Sequence, residues 1–201
     1  MRRYVVFLPL AFSLAIAGCI PRNGASVSGD LTVLRSGSLT VHQAEGVARV
    51  AYVSMRDGNN RIFGLRAQLE RCLVSRGFSV TNNPSEAGYI IRLSVPAAGA
   101  SSPEAARGAV DNGYAGEALL SGTEGTALVA DALVVQRRVP QSGKRGLKTI
   151  SNRMAVADSQ MRLALFSPRR VNLQLGFPEY VTEKVAGELC SGLGEAGQAP
   201  R

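Results

Sequence analysis

Histidine is almost missing from this chain: His42 is the only one in 201 residues. Histidine-based metal sites and His-dependent catalytic triads need imidazoles placed beside partners, and no cysteine, histidine or carboxylate pair stands at ligand spacing near His42. Tryptophan is absent and aromatic residues make up 5% of the chain, which argues against a stacking platform for nucleic acid. The three cysteines, Cys19, Cys72 and Cys190, form no Cys-x-x-Cys motif. Charged residues are only 19% and glycines number 22, a composition unlike a coiled coil or a long charged tail. No Gly-x-Gly-x-x-Gly follows a strand and no His-Glu-x-x-His occurs. A phosphate-binding loop suggested by Gly143-Lys144 fails, because Arg138 stands five positions before Gly143 and Arg145 replaces the Ser or Thr that would hold magnesium. An enzyme is not expected.

What is present begins at the N-terminus. Met1-Arg2-Arg3 is a basic start, and residues 4–17 form an uncharged, mostly apolar run too short for a comfortable transmembrane helix. The run ends in Ile16-Ala17-Gly18-Cys19, which resembles the bacterial lipobox, so residues 1–18 are predicted to be a signal peptide and Cys19 the lipidated residue. Several acyl chains, each contributing ~0.8 kcal/mol per buried methylene, hold a protein stably without a spanning helix. No cofactor is expected besides this covalent lipid on Cys19. Ile20 rather than Asp follows the cysteine, which by resemblance to enterobacterial lipoproteins implies the outer membrane. The mature chain keeps 21 basic and 15 acidic side chains, for a net charge of about +6.

Residues 19–30 have the small, polar composition of a flexible tether. Residues 31–194 read as one compact α+β domain with a small mixed or antiparallel sheet, and 195–201 as a disordered tail. Short strands are expected at 31–33 and 39–41. A strand over 47–55, a helix carrying Ile62, Leu65, Leu69, Cys72 and Leu73 on one face, and strands at 78–80 and 89–95 make a β-α-β-β block. Residues 96–113 look like a loop, and 126–135 like a packed helix. The sharper alternative is that the 113–135 segment makes shallow membrane or subunit contacts through Gly113, Tyr114, Gly116, Leu119, Leu120, Leu128 and Leu133. Two strands are expected to flank the Ser167-Pro168-Arg169-Arg170 turn, over 155–166 and 171–175. A final helix starts at Pro178 and buries Val181, Val185, Leu189, Cys190 and Leu193.

Between residues 137 and 170 nine basic residues face one acid, Asp158. Arg137, Arg138, Lys144, Arg145, Lys148, Arg169 and Arg170 are the candidates for a basic face toward anionic head groups, against the plainer reading of solvated loops. With Cys19 lipidated in an oxidising compartment, Cys72 and Cys190 remain an even pair on two apolar helix stripes. A disulfide between them is expected, the alternative being two buried free thiols.

Several segments occur in the order seen in the TraT family of outer-membrane lipoproteins, and the chain resembles that family over most of its mature length. They are Asp30-Leu31-Thr32-Val33, Ser38-Leu39-Thr40-Val41, Gly77-Phe78-Ser79-Val80, Asn83-Pro84-Ser85-Glu86-Ala87-Gly88-Tyr89, Gly113-Tyr114-Ala115-Gly116, Val129-Ala130-Asp131-Ala132-Leu133-Val134 and Val171-Asn172-Leu173-Gln174-Leu175. The resemblance implies a surface-exposed homo-oligomer that hinders redundant mating-pair formation, termed surface exclusion, and that is linked to complement resistance. Its implied partners are outer-membrane lipid, copies of itself and the conjugation machinery of a donor cell, with no nucleic acid. Members carry a longer Gly/Ala-rich apolar stretch than residues 118–135, which here include Glu124 and Asp131. A different class of function, a periplasm-facing structural lipoprotein of an envelope assembly or secretion apparatus, fits the same composition.

Overall fold

The structure, a computed structural model, describes residues 27–28, 31–39, 41, 44–56, 62, 64–139, 155–172 and 176–193. The expected signal peptide, Cys19, most of the expected tether, His42, Lys144, Arg145, Lys148, residues 173–175 and the 195–201 tail lie outside them. Among the described residues the elements in chain order are β1 (Val27–Ser28), β2 (Leu31–Arg35), β3 (Val50–Arg56), α1 (Leu65–Ser75), β4 (Ser79–Val80) and β5 (Tyr89–Ser101). They continue with α2 (Pro103–Asp111), β6 (Gly125–Arg137), β7 (Ala155–Ser167) and α3 (Glu179–Ser191). The strands form one mixed sheet in the order β1-β2-β7-β6-β5-β3-β4. Strand β3 runs parallel to β4 and β5, and the other pairs are antiparallel. The fold is α+β, as the alternation of strand and helix patterns implies.

One face of the sheet carries the main core. Leu65, Leu69 and Leu73 from α1 and Val181, Val185 and Leu189 from α3 pack on Val33, Val53, Ile91, Leu93, Leu128 and Leu163. Enclosing each such side chain contributes about 1.5–3 kcal/mol. Helix α1 ends because Gly77 adopts φ 79°. Its N–H donates to the Val74 carbonyl at 3.0 Å and the Phe78 N–H to the Leu73 carbonyl at 3.0 Å, a Schellman closure that satisfies the last carbonyls. Helix α3 is pinned to the sheet by Glu188, which accepts from Arg35 of β2 and pairs with Lys184 at 3.0 Å. Phe78 and Tyr89 meet edge-to-face at 5.0 Å, and burial raises the Tyr89 phenol above its ordinary pKa, with the Arg49 charge opposing.

The structure corrects several sequence expectations. Residues 96–113 are not a loop: β5 runs through to Ser101, and α2 follows directly. Pro96 is tolerated because the β5–β6 register shifts between Ser94 and Ala97, where a ladder donor is dispensable. Helix α2 starts on a local signal, with the Ser102 hydroxyl accepting from the Ala105 N–H at 3.1 Å and Pro103 at the first position. Residues 126–135 are not a helix but the middle of β6. Both faces of that strand are covered over much of its length, so its apolar run shows no alternation to read.

Leu39 and Val41, expected in an edge strand, are buried outside any strand, and the Val41 N–H donates to the Gly192 carbonyl at the end of α3. Val171 and Asn172, expected to begin a strand, do not, and the Val171 N–H donates to Thr126 Oγ1. The expected tether itself includes β1, which pairs with β2.

Candidate functional site

The second face of the sheet is covered at one end by α2 and the chain that follows it. Ala109 and Val110 pack on Val129 and Ala164, while Ala106 packs with Ala127 and Phe166, and Leu120 closes these clusters from outside. In the middle of this layer stands Arg162 of β7, 0% exposed and directly opposite Asp131 of β6 in the strand register. Alternation dictates the placement: Met161, Leu163 and Leu165 face the main core, so Arg162, Ala164 and Phe166 face α2.

Every N–H of the guanidinium has an acceptor. Nε donates to Asp131 Oδ1 at 2.6 Å and Nη2 to Oδ2 at 2.7 Å, a bidentate pair. Nη2 also donates to the Gly116 carbonyl at 2.8 Å, and Nη1 donates to the carbonyls of Ala109 at 3.1 Å and Glu117 at 3.4 Å. Asp131 Oδ2 accepts in addition from the Ala115 N–H at 3.2 Å. One ion pair therefore fastens the C-terminal end of α2 and the Gly113-Tyr114-Ala115-Gly116 turn to the sheet.

This geometry explains the glycines of that turn. Gly113 takes φ 71°, open to glycine at no steric cost, and Ala115 follows at φ 57° to aim its N–H at Asp131. A Cβ on Gly116 would lie 2.3 Å from the Asn112 carbonyl oxygen. Gly116→Ala is expected to cost about 1–3 kcal/mol through this overlap, measured as a lower urea midpoint at unchanged slope.

The sequence reading missed this centre. In the sequence Asp131 stands within the apolar 118–135 stretch, and Arg162 is one of the nine basic residues between 137 and 170. The available signal is that each is a charge flanked on both sides by apolar residues, Asp131 by Ala130 and Ala132 and Arg162 by Met161 and Leu163, and two opposite buried charges of that kind need one another. The guanidinium has no spare donor, and among the described residues no three His, Cys, Asp or Glu side chains gather to hold a metal ion.

The other site candidates do not form one surface. Leu128 is wholly enclosed in the main core, which corrects its assignment as a contact residue, whereas Leu119 is 67% exposed. Gly113, Tyr114, Gly116, Leu120 and Leu133 are half-buried. The basic face divides. Arg137 donates to the Ala87 carbonyl and Arg138 to the Glu45 carbonyl at one end of the β6–β7 ladder. Arg170 donates to the Thr123 carbonyl at the other end, next to exposed Arg169. The 13 residues of β7 lie between the two groups, about 40 Å of strand, so neighbours in a charge count are not neighbours in space. Cys72 of α1 and Cys190 of α3 are joined in a disulfide with Cα atoms 6.4 Å apart. Among the described residues no helix is long and apolar enough to cross a membrane.

Comparison with known proteins adds the family. No curated protein matches the chain. Among solved structures, it is similar to the dodecamer of a PelC point variant from Paraburkholderia phytofirmans at 15% identity, covering 84% of this chain and 99% of that one, with a TM-score of 0.43. It is also similar to a DUF4136 family protein from Bacteroides thetaiotaomicron at 6% identity, covering 82% and 96%, with a TM-score of 0.38. A family model described as enterobacterial TraT complement resistance protein matches residues 34–162, from β2 to the arginine of the clamp. That match spans more than half of the chain and includes the Gly-Tyr-Ala-Gly turn and both partners of the ion pair: the chain belongs to the TraT family of outer-membrane lipoproteins.

Proposed function

We propose that this protein is anchored in the outer membrane by lipid on Cys19 and works there as a homo-oligomer that blocks contact. Its action is to hinder redundant mating-pair formation with the conjugation machinery of a donor cell, with resistance to complement as a second consequence of the same exposed layer. The observation that carries this reading is the family match over residues 34–162. The clamp supports it, because the most deeply buried charges serve to hold a turn at the surface. The lipobox-like Ile16-Ala17-Gly18-Cys19 boundary supports it as well, since acylation there would leave a folded body tethered at the membrane and available to a partner.

The test is made in recipient cells. Expression of the wild-type chain is expected to lower the frequency at which the cognate plasmid is acquired. Cys19→Ser is expected to lose palmitate label, leave the membrane fraction and restore acquisition. Unchanged acquisition with the wild-type chain, together with resistance to protease shaving of whole cells, would overturn surface exclusion in favour of a periplasm-facing structural role.

A further inference from the structure

The long strands β5, β6 and β7 give the fold two ends. At one end Val27 of β1 stands beside Thr32, Thr32 beside Phe166, and Phe166 beside Ala127. Two exposed turns, residues 121–124 and 168–170, lie together at this end, because Arg170 donates to the Thr123 carbonyl at 2.9 and 3.1 Å. At the other end Arg137 of β6 stands beside Ala155 of β7. From Ala155 to Phe166 the strand β7 covers about 35 Å.

The chain enters the sheet at the first of these ends. Val27 follows Cys19 by eight residues, and eight fully extended residues span at most about 29 Å. With Cys19 held at the membrane, a domain resting on its Arg137 and Ala155 end would carry Val27 about 35 Å above the surface, beyond that reach. The β1 end stays within reach in every pose. Charge does not choose between the ends, since Glu104 and Glu124 are exposed at the same end as Arg169 and Arg170. Chain length does.

We propose that the domain stands on its own membrane with the β1 end down, the 121–124 and 168–170 turns against the lipid head groups, and the Arg137 and Ala155 end away from them. The partner of this surface is the membrane lipid, and the inference rests on the acylation of Cys19 read above. It divides the expected basic face by function. Arg169 and Arg170 meet head-group phosphates, which guanidinium groups bind well, whereas Arg137 and Arg138 are held clear of them.

The experiment uses the acylated protein in vesicles of phosphatidylethanolamine and phosphatidylglycerol that contain lipid spin-labelled at the head group. A fluorophore is attached to Ser121→Cys or to Ala155→Cys, both exposed positions, without reductant, so that Cys72 and Cys190 stay bonded. Quenching is expected to be several-fold stronger at position 121 than at 155. Arg169→Glu is expected to weaken the quenching at 121, and Arg138→Glu to leave it unchanged. An acylated, vesicle-bound protein quenched equally at both positions lies flat and overturns the orientation alone, as does stronger quenching at 155. Quenching at 121 that ignores Arg169→Glu overturns the phosphate contact. A mature chain whose mass shows no lipid on Cys19 overturns the anchor and the orientation together.

Discussion

Arg162→Met is expected to lower the stability of the domain by about 3–5 kcal/mol, because it leaves the Asp131 carboxylate buried without its counter-charge. Asp131 is 4% exposed, and the backbone carbonyls of Ala109, Gly116 and Glu117 lose their donor at the same time. For a domain of this size each kcal/mol lowers the melting temperature by roughly 2–4 °C, so a loss of about 10 °C is expected. The damage should be uneven. The main core lies on the opposite face and keeps its helices, so the 112–124 stretch is expected to become the first site cut in limited proteolysis. Adding Asp131→Leu to Arg162→Met should recover part of the lost stability by removing the stranded charge, but not the proteolytic resistance of the turn, whose carbonyls and Ala115 N–H remain without partners. An Arg162→Met variant with the parent's melting temperature and an uncut turn would show that the clamp is dispensable.

Removing the disulfide by Cys72→Ala with Cys190→Ala is expected to cost about 4–5 kcal/mol in the chain-entropy view. The two residues are 118 apart in sequence, so the bond excludes a very large set of open conformations from the unfolded chain. It also ties α1, in the first half of the fold, to α3 at its end, where both helices supply the main core. Denaturation of the native and doubly substituted proteins under identical conditions measures the difference directly. The native chain should also run faster than its reduced form on a gel. Equal mobility with and without reductant, and equal midpoints for the two proteins, would contradict the bond.

Much of the fold was legible because local rules and burial agreed. Leu65, Leu69 and Leu73 recur at helical spacing before Gly77, and Tyr89, Ile91 and Leu93 alternate on a strand with one core face. The parity of the cysteines and their positions on apolar stripes pointed to one pair. The errors fall where the sheet is covered on both sides. In β6, Leu128, Ala130, Ala132 and Val134 face α1 and α3 while Ala127 and Val129 face α2, so both parities are apolar and the strand resembles a buried helix.

By itself, the sequence determined the fold class and the family: a single α+β body with an even cysteine pair, carrying the segments of the TraT family in order. It determined these because each depends on residue type, count or spacing along the chain. Only the tertiary structure decided that Asp131 and Arg162 are partners, since their distance follows from the β6–β7 register. It likewise decided that Gly113 and Gly116 shape a turn around that pair, and that the arginines at 137–138 and at 169–170 stand at opposite ends of the sheet. Charge and proximity act through space, and a 13-residue strand carries sequence neighbours far apart while its register brings residues 31 positions apart into contact.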